Sequence, residues 1–405
     1  MYFYCRLISG PRRDSVSIKT FRISEQFRPD CRLHHIILQR EDWRSRTGRC
    51  GQMAGRGLGR GYLTGGVFVA VACAIVGLDP IQKDWIEALK QAHGTDWFKI
   101  VVVGERNLSS AREVGQIFDV PFYGDLRRML LETTPHMVLL DRPADMSLDF
   151  VEACVQQNIG ILSLGPPVQT LEEAHRLSIH LEPKTHLLYT APQFSGSWGF
   201  RQAHQTENFF RGVQFLSGNW SAANHAVARV RNIQHGAVRS LSVLAWDAFR
   251  TAIEIVGLPA ALYASIDGGS GQQDNFTDVT GDVGVVMKTL EGATVVLRIS
   301  DQEGSLKREI CVANRDGRVK LSEFSYYWTS ARDKLSEEDS TTPTTHAAQA
   351  LRELENFCRH FTSPSSSHRG WPHLLPETAA MMTAMIVSHR TGMAESPQHF
   401  RGLNR

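Results

Sequence analysis

Residues Val71-Ala-Cys-Ala-Ile-Val-Gly77 constrain this chain more than any other stretch. An unbroken apolar run of that length, ended by glycine, reads as a strand buried on both faces of a parallel sheet. From Ile81 to His93 the apolar residues Ile81, Trp85, Ile86 and Leu89 recur at helical spacing. Strand, tight turn and helix in that order open a mononucleotide-binding unit, in which a pyrophosphate sits at the helix N-terminus. The usual turn is Gly-x-Gly-x-x-Gly, whose glycines let backbone N–H groups approach the phosphates. Here Gly77 and Leu78 are followed by Asp79 and, at the third glycine position, Gln82. Asp79 sets a negative charge beside an anionic ligand, so the turn predicts unusual or weakened dinucleotide binding.

The pattern then repeats. Phe98 to Gly104 predicts a second strand, and Ser110 with Glu113 reads as a capping box opening a helix through Phe118. A short strand follows at Pro121–Tyr123, then a helix over Leu126–Thr133, a strand at Met137–Leu140, a helix over Leu148–Asn158 and a strand at Ile159–Leu164. Strands separated by single helices imply a parallel sheet covered on both faces. Thr170 to Glu173 is a second capping box, with its helix reaching Leu181.

Beyond it the texture changes. Strands are expected at 285–290, 293–300, 306–313, 318–322 and 324–329, with hairpin turns at Glu291-Gly292 and Asp316-Gly317. Several alternate, as Val295, Leu297 and Ile299 do against Val296, Arg298 and Ser300, which predicts an antiparallel sheet with one covered face. Closing helices are expected at Ala347–Phe361 and Glu377–Arg390, separated by a Ser/Pro-rich loop. The fold class is therefore α/β: an N-terminal Rossmann-type parallel sheet followed by an α+β domain on an open, mostly antiparallel sheet. The domains are drawn as a basic extension at 1–65, expected to be disordered, a dinucleotide-binding domain at 66–168, a substrate and oligomerisation domain at 169–395, and a tail at 396–405.

Composition limits the partners. A net charge of +2, with 42% hydrophobic and 21% charged residues, is ordinary for a globular protein and suggests no nucleic-acid partner. The positive charge is concentrated in the Arg-rich first 60 residues, so the remainder is mildly acidic. Seven scattered cysteines without a Cys-x-x-Cys pair predict neither a disulfide framework nor a metal site and fit a reducing cytoplasm. The run Tyr62–Leu78, with Ala72-Cys73-Ala74, has the look of a signal peptide, but cleavage there would delete the first strand. No other segment has the apolar length to cross a bilayer.

Several stretches resemble the glucose–fructose oxidoreductase/inositol dehydrogenase (Gfo/Idh/MocA) family: Val101-Val-Val-Gly-Glu105-Arg106, Tyr123-Gly-Asp-Leu126 with Leu130, Ile161-Leu-Ser-Leu-Gly-Pro166 with Thr170-Leu-Glu-Glu-Ala174, and Met385-Ile-Val-Ser-His-Arg-Thr-Gly392. The likeness runs from about residue 70 to 395. It implies an NAD- or NADP-dependent oxidoreductase that moves a hydride to or from a sugar or cyclitol carbon, and a homo-oligomer formed through the outward face of the C-terminal sheet. It implies cofactor contacts at Gly77, Leu78, Asp79, Glu105, Arg106, Arg142 and Pro143. Glu105 reads as a ribose acceptor or as a carboxylate before a helix; Arg106 as a 2′-phosphate ligand or a solvated cation. Arg142 stands where α/β sheets bind ligands, and Pro143 serves equally as a strand-ending proline. The family's Glu-Lys-Pro motif falls on Leu164, Gly165 and Pro166, so its lysine is missing. Its catalytic histidine falls on Asp247, which is either the surviving acid/base group or a carboxylate at a helix N-terminus. The same losses leave a second reading, a catalytically silent relative that binds ligands or proteins. The aromatic, Gly-rich segment from Gln193 to Arg201 reads as a sugar-pocket lining or a packed connector.

Overall fold

In a computed structural model, the described residues are 70–80, 82–105, 108–141, 148–191, 193–205, 210–230, 238–269, 275–330, 336–339, 345–362 and 374–402. Residues 65–405 form one compact unit. The expected extension at 1–65 lies outside the described residues.

The elements run β1 (Val71–Val76), α1 (Lys83–Ala92), β2 (Phe98–Gly104), α2 (Leu108–Phe118), β3 (Phe122–Tyr123), α3 (Leu126–Thr133), β4 (Met137–Leu140), α4 (Leu148–Gln156), β5 (Gly160–Ser163), α5 (Leu171–Leu181) and β6 (Leu188–Thr190). They build a parallel sheet in the order β3-β2-β1-β4-β5-β6. The apolar run at 71–76 is thus the central strand, paired with β2 on one side and β4 on the other. Asp125 caps α3 by accepting from the N–H groups of Arg127 and Arg128, and Thr170 caps α5 by accepting from the Glu173 N–H. The Ser110–Glu113 box does not open its helix. Helix α2 already begins at Leu108, so both residues lie within its first two turns.

The chain continues as α6 (Trp198–Gln205), β7 (Phe215–Ala223), α7 (His225–Val230), α8 (Leu241–Val256), β8 (Ala261–Asp267), β9 (Asp282–Lys288), β10 (Thr294–Ser300), β11 (Gln302–Ala313), β12 (Gly317–Ser322), β13 (Tyr326–Ser330), β14 (Ser336–Asp339), α9 (His346–Thr362), α10 (Leu375–Thr391) and α11 (Pro397–Gly402). Eight strands form a second sheet, ordered β14-β13-β12-β11-β7-β10-β9-β8. All its pairs are antiparallel except β7 with β10. One face packs on α8 and α10; the other presents Tyr263, Val286 and Val296 to solvent.

The division at residue 168 falls short of the structure in two ways. Strand β6 extends the parallel sheet to Thr190. Helix α9, far along the chain, returns to that sheet and lies beside α1. Ala350, Leu354, Phe357 and Cys358 join Trp85 and Leu89 in one apolar cluster. Phe357 and Phe361 press so closely on Gly160 that an added Cβ would stand 2.8–2.9 Å from their rings. This return brings the first turn of α9 next to the first turn of α1.

Helix α6 begins against the turn between β12 and β13. The Gly199 N–H donates to the Glu323 carbonyl, and a Cβ at 199 would meet the carbonyl oxygens of Ser322 and Ser325 at 2.3 and 2.7 Å. Backbone cannot yield as a side-chain tip does. We therefore expect Gly199→Ala to cost about 1–3 kcal/mol in thermal unfolding. Gly284→Ala, where nothing lies within 4 Å, should change stability little.

Candidate functional site: a self-filled cleft between α1 and α9

The turn after β1 has the expected bend. Gly77 adopts φ 73° and its N–H donates to the Gly104 carbonyl at 3.1 Å. The Asp79 carbonyl then accepts from the Gln82 N–H at 2.9 Å, delivering the chain to α1. Leu78 is buried in the cluster beneath. Glu105, at the end of β2, is buried and its N–H donates to the Tyr123 carbonyl. Arg106, Arg142 and Pro143 lie outside the described residues.

At the N-terminus of α1 the chain supplies its own side chains. Gln82 is 3% exposed; its Nε2 donates to the Val238 carbonyl at 2.8 Å. Its Oε1 accepts from Nη1 of Arg239. Nη2 of Arg239 donates to Asp84 Oδ2 at 3.0 Å, and its Nε reaches Gln193 Oε1 at 3.5 Å. Arg239 belongs to the segment leading into α8, so a cation from the second half of the chain sits where a dinucleotide fold presents its N–H groups to phosphate. In this arrangement the residues around α1 do not accommodate a pyrophosphate.

The positions matched to the family's lysine and histidine are also filled. A Cβ on Gly165 would stand 2.9 Å from Val243 Cγ2 of α8, so the space for a longer side chain is taken. Asp247 is not at the helix N-terminus: it lies in the second turn of α8, 4% exposed. Its Oδ1 accepts from the Phe194 N–H at 3.0 Å; its Oδ2 accepts from Trp220 Nε1 at 3.0 Å and Arg308 Nη1 at 3.3 Å. A carboxylate engaged by three buried donors is an anchor for the surrounding elements, poorly placed to collect a substrate proton. The connector after Gln193 is packed, with Phe194 edge-on to Trp220 at 5.4 Å.

Arg308 extends this anchor into a chain of charges. Its Nε donates to Glu323 Oε1, its Nη1 to Gln193 Oε1 at 3.0 Å, and Glu323 Oε2 meets His346 Nε2. Burial pushes the Glu323 carboxyl up, but Arg308 and His346 together outweigh it and hold it at about 2. An ionised Glu323 accepts from Nε2–H and so fixes that ring nitrogen of His346 as the donor. The His346 ring stands edge-on to Phe324 at 5.0 Å.

Between the first turns of α1 and α9 lies a small cavity of about 20 Å³, lined by Asp84, Gln193, Arg239, Arg308, His346 and Glu353 among others. That is room for about one water molecule, so the cleft is filled by its own side chains. Glu353 is 3% exposed and accepts from the Tyr189 hydroxyl at 2.8 Å. Burial dominates there and pushes its carboxyl up to about 7. Sequence reasoning missed this second group of titratable residues. The signal was present: His346, Gln349, Ala350 and Glu353 follow i, i+3, i+4, i+7 spacing and share one face of a helix. Among the described residues no cluster of His, Cys, Asp and Glu could hold a metal ion.

Two outcomes follow. Asp247→Ala, which strips a common acceptor from three buried donors, should destabilise the fold by about 3–5 kcal/mol in denaturant unfolding. Glu353, with a folded pKa above its ordinary 4.5, binds its proton more tightly in the folded state. Its contribution is therefore complete below 4.5 and is lost as pH rises through about 7. Glu353→Gln should flatten the fall in stability between roughly pH 5 and 8.

Residues 71–191 match the model of an oxidoreductase family described as an NAD-binding Rossmann fold, GFO_IDH_MocA. No curated protein matches the sequence significantly. Among solved structures, an oxidoreductase from Agrobacterium radiobacter in complex with NAD+, L-tartaric acid and magnesium is similar at TM-score 0.66 and 14% identity, over 82% of this chain and 99% of that one. Levoglucosan dehydrogenase in complex with NADH and L-sorbose is similar at TM-score 0.66 and 13% identity, over 80% and 98%. UDP-N-acetylglucosamine 3-dehydrogenase from Acidithiobacillus ferrooxidans is similar at TM-score 0.63 and 13% identity, over 80% and 99%. Among the described residues no helix is long and apolar enough to cross a membrane. Residues 71–191 thus carry a domain similar to the NAD-binding Rossmann domain of the Gfo/Idh/MocA oxidoreductases, and the solved oxidoreductases share the fold of the longer chain.

Proposed function

We propose that the protein is an oxidoreductase acting at a hydroxyl-bearing carbon of a sugar or cyclitol, with NAD or NADP as hydride partner and a cofactor seat that is closed at rest. The observation that carries this reading is the Gly77 bend at the C-terminal end of the central strand, followed by a helix whose first turn, at Asp84 and Trp85, lines a small polar cavity with acid/base groups. Alcohol oxidation needs a base near neutrality within reach of the hydroxyl proton. We assign that role to His346, oriented by Glu323, in place of the anchored Asp247.

A second reading, a catalytically silent relative that keeps a ligand-binding cleft, is favoured by one observation: Val243 fills the space behind Gly165. Incubation with NAD+ or NADP+ and a panel of sugars and cyclitols separates the two. The first reading expects turnover by the wild type and a loss of roughly 100-fold or more for His346→Gln. Sugar binding without any hydride transfer supports the second.

The four described cysteines are free thiols, in keeping with a cytoplasmic setting. For the oligomer, Tyr263, Val286 and Val296 stand in register across β8, β9 and β10 on the solvent face, 46%, 47% and 37% exposed. We propose self-association through this face. Light scattering should give a dimer or higher oligomer that Val286→Lys dissociates; a wild-type monomer would contradict it.

A further inference from the structure

We infer that Arg239 holds the dinucleotide seat shut, making the Arg239–Asp84–Gln82 contact the determinant of cofactor affinity in this protein. The inference deepens the reading of the Gly77 turn as a dinucleotide site and rests on it. In that fold the phosphates bind against the first N–H groups of the helix after the turn, and the third glycine keeps the approach open. Here Gln82 replaces that glycine, and its amide is tied to Val238 and Arg239. The guanidinium then bridges to Asp84, in the first turn of α1. A positive group paired with a carboxylate thus stands where the fold would receive an anion.

Three features mark this as a latch more than as a fixed structural bridge. First, the Arg239 N–H donates to the Ala223 carbonyl of β7 while its guanidinium reaches Gln82 and Asp84 at α1, so its contact spans the two sheets. Second, Asp84 is only half satisfied: Oδ2 meets Arg239, while Oδ1 is buried with no partner among the described residues. An ion pair with an unmet oxygen costs desolvation that it does not fully recover, and this lowers the cost of opening it. Third, Arg239 is shared with Gln193 Oε1, which also takes a bond from Arg308. The guanidinium therefore has a neighbouring acceptor inside the cavity to turn toward when Asp84 is released.

The test is the affinity of the full-length protein for NADH and NADPH, read by quenching of tryptophan fluorescence; Trp85 lines the cavity. The paired substitution Asp84→Asn with Arg239→Gln removes both charges and leaves neutral hydrogen-bonding groups. It should tighten binding of at least one dinucleotide by at least roughly tenfold. Gln82→Gly, which restores the open position without touching the charges, should tighten it in the same direction and covers the case in which the paired variant does not fold. Unchanged affinity in the folded variants, including no detectable binding before and after, overturns the latch. So does weaker binding, which would make Arg239 a phosphate ligand. Failure of the oxidoreductase reading registers separately, as the absence of turnover in proteins whose dinucleotide affinities have been measured.

Discussion

One guanidinium ties the second half of this protein together. Arg308, on β11 and 3% exposed, touches Asp247 of α8, Glu323 at the turn after β12, and Gln193 of the connector from the parallel sheet. Through Glu323 it also reaches His346 at the start of α9. A buried charge of this kind is tolerated only when each partner is satisfied. Here Arg308 and His346 hold the Glu323 carboxyl well below its usual range, and Asp247 accepts from three buried donors, so removing Arg308 leaves two buried carboxylates short of a partner. Together with the apolar cluster that packs α9 on α1, this arrangement frames the cavity between their first turns.

The three positions that the resemblance aligns with the family's histidine, lysine and third glycine are all engaged within the chain. Asp247 would be costly in a helix buried on nearly every side unless donors converged on it, and Trp220, Arg308 and the Phe194 N–H do converge. Gly165 is backed by Val243, and Gln82 is bonded to Arg239 and the Val238 carbonyl. Packing and bonds within the chain thus fill the cleft without leaving a large void.

Much of the fold was legible because it is written in local patterns. The run at 71–76 gave the central strand, Gly77 the positive-φ bend, Thr170 its cap, and the alternation at 294–300 a strand with one covered face. Strand β7 was not legible. Gly218 and Asn219 break its apolar alternation, and Gly218 is there because a Cβ would stand 2.3 Å from the Trp220 ring. The site was less readable than the fold for a general reason. Arg308 and Asp247 are 61 positions apart, and Gln82 and Arg239 are 157. No periodicity reports a pairing at such separations. Asp247 could be picked out by its alignment with a histidine, but its burial and three donors could not. The face shared by His346 and Glu353 was visible in principle, hidden within a helix that reads first as an apolar stripe.

The account stands or falls on what lies against the first turn of α1 when cofactor is present. A crystal structure of the protein at saturating NADH tests this directly. The account predicts the pyrophosphate at the Gly77 bend, with the Arg239 guanidinium withdrawn from Asp84. A dinucleotide bound there while Arg239 still bridges Gln82 and Asp84, or one bound on another surface altogether, would contradict it.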